Sequence, residues 1–106
     1  ETLDHKKRKL SGEDAVIFNG KNILGLAGIM GGLNSEISPD TTEIIFEAAN
    51  WNPVMIRKSS AQHGLRSDAA QRFEKSLDPT LTLLAIQRAW PSVRPRCRSV
   101  PLNPLP

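Results

Sequence analysis

The sequence predicts an α+β fold in which a strand-rich layer over residues 15–49 is covered by helices over residues 53–89. Three observations predict it. Short apolar runs bounded by turn residues crowd the first half, at Ala15–Phe18, Ile23–Met30 and Ile44–Phe46, and runs of that length read as buried strands. A hydrogen-bond acceptor before a first-turn proline occurs at Asn52-Pro53 and again at Asp78-Pro79, marking helix starts in the second half. Five of the chain's 8 prolines fall in its last sixteen residues, so the domain is expected over 1–90, and 91–106 is expected to be a disordered or polyproline-like tail.

The chain is 106 residues long and 39% hydrophobic, which allows one small domain with a modest core. Its formal net charge of +3 does not describe the domain. Arg94, Arg96 and Arg98 lie in the acid-free last sixteen residues, leaving 11 basic and 11 acidic side chains in residues 1–90. The single cysteine, Cys97, excludes an internal disulfide and fits a reducing compartment, so a cytoplasmic location is expected. No apolar run approaches the roughly 20 residues that span a bilayer, and no apolar signal region follows the N-terminal charges. The chain begins with Glu1 and not Met, and a fragment or a processed product is the expectation.

In chain order, Lys6-Lys7-Arg8-Lys9 reads as a solvated connection between strands, with RNA phosphate contact as the alternative. Ala15–Phe18 is a strand, and Asn19-Gly20 suits a type I′ hairpin turn into a second strand over Ile23–Met30. Along that second strand Gly25, Ala27 and Gly28 lack bulk. They are either a bulged strand leading into Gly31-Gly32 or the floor of a pocket. No Lys-Ser or Lys-Thr follows these glycines and no dinucleotide spacing is present, so nucleotide cradling is rejected. Leu33–Asp40 is a polar loop, and Thr41–Ala49 carries the strand Ile44–Phe46, directly followed by Glu47. That carboxylate either faces solvent by alternation or is held inside with a hydrogen-bonding role.

Asn52-Pro53 opens a helix that Gly64 closes, and His63 near its end is assigned no chemistry. Ser67 and Asp68 cap the next, short helix. The amide groups around Ser67, Asp68 and Ala69 favour a carbonyl or a developing oxyanion, so this corner either serves packing alone or forms a pocket wall. Leu81, Leu83, Leu84 and Ile86 predict a helix over Thr80–Ala89 lying against the sheet. The proline-rich end is either a recognition tail or, as the preferred hypothesis, a truncated or out-of-frame ending.

Three pieces stand in order: Leu26-Ala-Gly-Ile-Met-Gly-Gly32 with Ser35-Glu36; Ile45-Phe-Glu-Ala-Ala49 with Pro53 and Ile56-Arg57; and His63-Gly-Leu-Arg-Ser-Asp-Ala69 with Arg72-Phe-Glu74 and Leu77-Asp-Pro79. Together, over residues 12–89, they closely resemble the internal editing domain, often described as tRNA-binding, of the beta subunit of bacterial phenylalanyl-tRNA synthetase. The resemblance implies a domain that hydrolyses tyrosine wrongly esterified to phenylalanine tRNA. Glu47 matches the carboxylate that reads the tyrosine hydroxyl. Ala27, Gly28 and Gly31 match the small residues of the pocket, and Ser67 and Ala69 line its other side; the family often carries Thr where Ser67 stands. A site that must hydrogen-bond a hydroxyl rejects the analogue lacking it by roughly 10⁴-fold or more.

Water is the expected nucleophile. No catalytic side chain and no metal ligand is assigned, because neither a serine–histidine pair nor a metal set is evident. The complete enzyme is implied to use ATP and Mg2+, with its synthetic site in the other subunit, as an assembly of two alpha and two beta subunits acting on tRNA(Phe). No cofactor is expected in this chain. The family's editing domain begins upstream of residue 1, supplies further pocket residues from there, and continues a helix past Ala89. An incomplete domain with little or no activity alone is therefore expected. Two other readings compete: a non-enzymatic RNA-binding module using Lys6–Lys9 and Arg94–Arg98, and an inactive truncated product with an exposed sheet edge.

Overall fold

Asn19 sets the first hairpin. In the computed structural model, which describes residues 1–93, β1 (Val16–Phe18) and β2 (Ile23–Leu26) pair antiparallel, Val16 opposite Leu26 and Phe18 opposite Ile23. The turn is longer than the two residues expected. Asn19 Oδ1 accepts from the amides of Lys21 and Asn22 at 3.0 and 2.7 Å, drawing four residues, 19–22, into the connection, with Gly20 at φ +88°.

The run Ile23–Met30 is not one strand. β2 stops at Leu26, the chain turns through Ala27, Gly28 and Ile29, and β3 (Met30–Gly31) returns alongside, Gly25 opposite Gly31. The Ile29 amide donates to the Leu26 carbonyl at 3.1 Å, and Gly28 takes φ +67°, a conformation that a Cβ would strain. The sheet order is β1-β2-β3, and the N-terminus extends it through a bridge between Thr2 and Gly32.

Ile44–Phe46 form no strand, which corrects the predicted layer over residues 15–49: its regular strands end at Gly31. Residues 41–50 have no regular structure and Ile45 is 84% exposed. A strand requires a neighbour for its N–H and C=O groups. Among the described residues β2 pairs with β1 and with β3, Thr2 bridges Gly32, and no strand pairing includes this segment.

α1 (Pro53–His63) forms as its ends predict. Asn52 Oδ1 accepts from the Val54 and Met55 amides, Pro53 occupies the first turn, and Gly64 takes the left-handed conformation. The Gly64 amide reaches the Ala61 carbonyl and the Leu65 amide reaches that of Ser60, a paired closure that satisfies carbonyls the helix leaves free. α2 (Asp68–Phe73) starts from Ser67. Leu26 from β2 and Ile29 from the turn after it pack with Ile56, Leu65 and Ala70 from the helical half, and Val16, Met30, Trp51, Met55 and Phe73 surround them.

α3 (Leu81–Val93) departs from expectation twice. It runs four residues beyond Ala89 and through Pro91, so 91–93 are helical and not tail; a proline one turn from the end forfeits a single hydrogen bond, to the Gln87 carbonyl. Its apolar side also does not cover the sheet. None of its residues is buried and Leu83 is 65% exposed, while the core cluster draws its helical-half members from Ile56, Leu65 and Ala70. The expected disorder of residues 94–106 lies outside the described residues.

Candidate functional site

Two of the expected walls adjoin. Ser67 caps α2 by accepting from the Ala70 amide at 3.1 Å, and its own hydroxyl proton goes to the Ile29 carbonyl at 2.5 Å. One side chain therefore satisfies a free helix amide and a turn carbonyl at once, fixing the Ala27–Ile29 turn against the start of α2. Ala27 is buried in that turn and donates its amide to the Ala15 carbonyl at 3.0 Å. Ala69, on the first turn of α2, is half-buried.

The absence of bulk at Gly28 is used by the chain's own core. A Cβ there would lie 2.6 Å from Trp51 Cδ1 and 2.8 Å from Ile56 Cδ1, so an indole and an isoleucine occupy the space that the sequence left open for a ligand. Gly31 is exposed; a Cβ on it would meet Leu3 Cδ1 at 3.2 Å.

Glu47 does not join these walls. Of the two orientations open to it, the structure has the solvent one: Glu47 is exposed, within the segment that has no regular structure, and among the described residues it makes no hydrogen bond or ion pair. Alternation can direct a side chain inward only along a paired strand, and Ile44–Phe46 are unpaired. Among the described residues, clefts of about 440 and 500 Å³ open at two places. The first runs between the N-terminal segment and β2, past Arg8, Gly25 and Leu33, and the second lies beside α1, past Asp14, Lys58 and Ser59; neither is lined by any of the six predicted pocket residues. Among the described residues no three His, Cys, Asp or Glu side chains cluster as metal ligands, and no helix is long and apolar enough to cross a membrane.

Residues 1–97 match the family described as the B3/4 domain. The chain belongs to the B3/4 domain family. It is 49% identical over 89 residues to the phenylalanine–tRNA ligase beta subunit of Corynebacterium diphtheriae. It is 50% identical over 88 residues to that of Geobacillus kaustophilus and 48% over 88 residues to that of Bacillus subtilis. These alignments cover 84% of this chain for the first and 83% for the other two, but 11% of each relative, so the chain spans about a tenth of the length of the curated relatives it matches.

The B3/4 domain also holds a polar cluster that sequence reasoning missed. The Asp14 carboxylate accepts from the Ser59 hydroxyl, from the Ser11 amide at 2.8 Å and lies 3.0 Å from His63 Nε2. The Asp14 and His63 side chains are 1% and 5% exposed. Burial raises the Asp14 pKa, but the Ser11 amide, the Ser59 hydroxyl and the His63 imidazole together outweigh it and lower the value to about 2. Ser59 and His63 are one helical turn apart on α1, a spacing visible in the sequence; that Asp14 is their partner is not.

Arg8 is the second missed residue. It stands in a basic run that reads as solvated, yet its guanidinium donates to Thr2 Oγ1 at 3.0 Å, to the His63 carbonyl at 2.7 Å and to Asp4 Oδ2 at 2.5 Å. The fork thereby fastens the N-terminal segment to the negative end of α1. Asp4 is held below the usual carboxylate range, first by the Thr2 hydroxyl and then, against some desolvation, by Arg8. Lys6, Lys7 and Lys9 are exposed, as expected.

Proposed function

We propose that this B3/4 domain acts within a phenylalanine–tRNA ligase beta subunit, where it hydrolyses tyrosine wrongly esterified to tRNA(Phe). The observation that carries the reading is the Ser67 hydroxyl bonded to the Ile29 carbonyl, which makes the small-residue turn and the start of α2 neighbouring walls. The relatives, which are phenylalanine–tRNA ligase beta subunits, support the enzyme class.

In this reading Ala27 and Gly31 lie along one side of the phenol ring, Gly28 completes that wall by seating the Trp51 indole, Ser67 and Ala69 stand opposite, and Glu47 accepts the tyrosine hydroxyl. Phenylalanine would leave that acceptor unpaired, which is a strong means of rejection. Water attacks the ester carbonyl, with no covalent enzyme intermediate. The outward Glu47 and the Trp51 ring on Gly28 mean that the chain by itself has walls without the assembled acid, and it is expected to be inactive alone. The alpha subunit and tRNA(Phe) are the partners and the cytoplasm the location. ATP and Mg2+ serve aminoacylation elsewhere in the assembly, and no step of editing passes through them here.

The test grafts residues 1–89 into the Bacillus subtilis beta subunit in place of the segment they match, with the alpha subunit co-expressed. The graft should clear tyrosyl-tRNA(Phe), and Glu47→Ala should abolish most of that clearance while sparing phenylalanine aminoacylation. Undiminished clearance by Glu47→Ala refutes the reading. The isolated chain should release tyrosine no faster than buffer.

A second reading is favoured by the exposure of Ile45 and of the apolar side of α3: a non-functional product prone to self-association. Broad thermal unfolding with aggregation of the isolated chain, together with an inactive graft, would support it. The RNA-binding alternative is weakened by the engagement of Arg8 inside the fold, and its Arg94–Arg98 half lies outside the described residues.

A further inference from the structure

Three consecutive side chains fasten the end of the segment that carries Glu47. Asn50 Nδ2 donates to the Leu77 carbonyl at 2.6 Å, ahead of α3. Asn52 caps α1. Between them the half-buried Trp51 packs against the core, its ring against Gly28 with Ile56 also on that glycine. Trp51 lies against the Ala27–Ile29 turn on which the proposed pocket stands. Gly28 has φ +67° and no Cβ, and any side chain there would drive into the indole. The seat is therefore matched to the ring.

Upstream of this joint the chain has no regular structure, so the route of Glu47 is governed by where the segment is tied down. Four residues of extended chain span at most about 14 Å. Chain length keeps the Glu47 backbone within that radius of Trp51, and the ring seated on Gly28, together with the Asn50 bond to Leu77, fixes the stretch from which the segment departs.

We propose that Trp51 is the positioning residue for Glu47 in tyrosine removal: the indole seated on Gly28 sets where the Glu47 segment leaves the turn, and so whether the carboxylate meets a phenol bound beside Ala27. The inference rests on the editing reading above. Trp51 touches no reacting atom and acts through Glu47.

The experiment uses the grafted beta subunit with its alpha subunit and measures hydrolysis of tyrosyl-tRNA(Phe), with phenylalanine aminoacylation as the check on folding. Trp51→Ala should lower kcat/KM for tyrosyl-tRNA about tenfold or more, on the order of the loss caused by a misplaced polar partner. Trp51→Phe should restore most of it. Because the ring works through the acid, Trp51→Ala added to Glu47→Ala should cause no further loss, whereas a general weakening of the fold would add in full. Wild-type clearance by Trp51→Ala, absence of rescue by Trp51→Phe, or full additivity with Glu47→Ala overturns the role of Trp51. Undiminished clearance by Glu47→Ala alone instead overturns the editing reading itself. Where Trp51→Ala reduces soluble yield, Trp51→Leu carries the same comparison.

Discussion

Replacing Asp14 by Asn should remove a pH-dependent part of the stability and little else. The carboxylate is almost fully enclosed and its pKa is lowered from 3.8 to about 2 by the Ser11 amide, the Ser59 hydroxyl and the His63 imidazole, against the opposing effect of burial. A depressed carboxylate stabilises the folded state fully above its unfolded value, and that contribution disappears as pH falls through the folded value. Each pKa unit corresponds to about 1.4 kcal/mol, so the ionised group contributes about 2 kcal/mol at neutral pH. Asn keeps the shape but sets an NH2 group where a carboxylate oxygen faces a donor. Asp14→Asn should therefore unfold with a free energy about 2 kcal/mol lower at neutral pH. The gap should close as pH falls from 3.8 towards about 2, where wild-type Asp14 is itself protonated. Urea unfolding followed by tryptophan fluorescence across that range measures both curves, and the lowered Asp4 and Asp78 titrate in both proteins, so they cancel in the difference. A gap that stays constant with pH, or one below about 0.5 kcal/mol at neutral pH, refutes the reasoning.

The remaining predictions concern the walls and the exposed helix. Gly28→Ala should cost about 2–4 kcal/mol, combining a left-handed backbone with a collision against Trp51, and should shift the tryptophan emission; urea unfolding reads the first and fluorescence the second. Ser67→Ala should cost about 2 kcal/mol, since it uncaps Ala70 and orphans the Ile29 carbonyl, whereas Ser67→Thr, which keeps the hydroxyl, should cost less than about 1 kcal/mol in the same assay. Leu83→Ser should change stability by no more than about 0.5 kcal/mol and reduce self-association in sedimentation, because the side chain is already in water. Ile56→Ala, at the centre of the core, should instead cost about 2–5 kcal/mol.

The site was legible in its local parts. Ser67 as a cap and Gly64 as a helix end follow from what one residue and its immediate neighbours permit, and the structure places both as read, whereas Gly28 lies in a turn and not along a strand. What fills the space over Gly28 was not legible, since Trp51 is 23 residues away and no pattern links the two. The same holds for Asp14, which meets Ser59 and His63 across separations of 45 and 49 residues. Arg8 shows the opposite error: a charge among charges reads as solvated, and only its reach to the His63 carbonyl, 55 residues on, reveals a structural clamp.

From the sequence alone came the α+β class, the boundaries of α1, the start of α2 and the presence of the first hairpin, together with membership of a recognisable lineage. These rest on caps, turns and apolar runs, whose free energies are decided within a few residues. Tertiary structure alone decided that Ile44–Phe46 lack a strand partner, that Glu47 points to water, that α3 leaves its apolar side uncovered, and that Trp51 takes the seat on Gly28. A strand or a buried face exists only when another part of the chain meets it, and no stretch of sequence carries its partner's position.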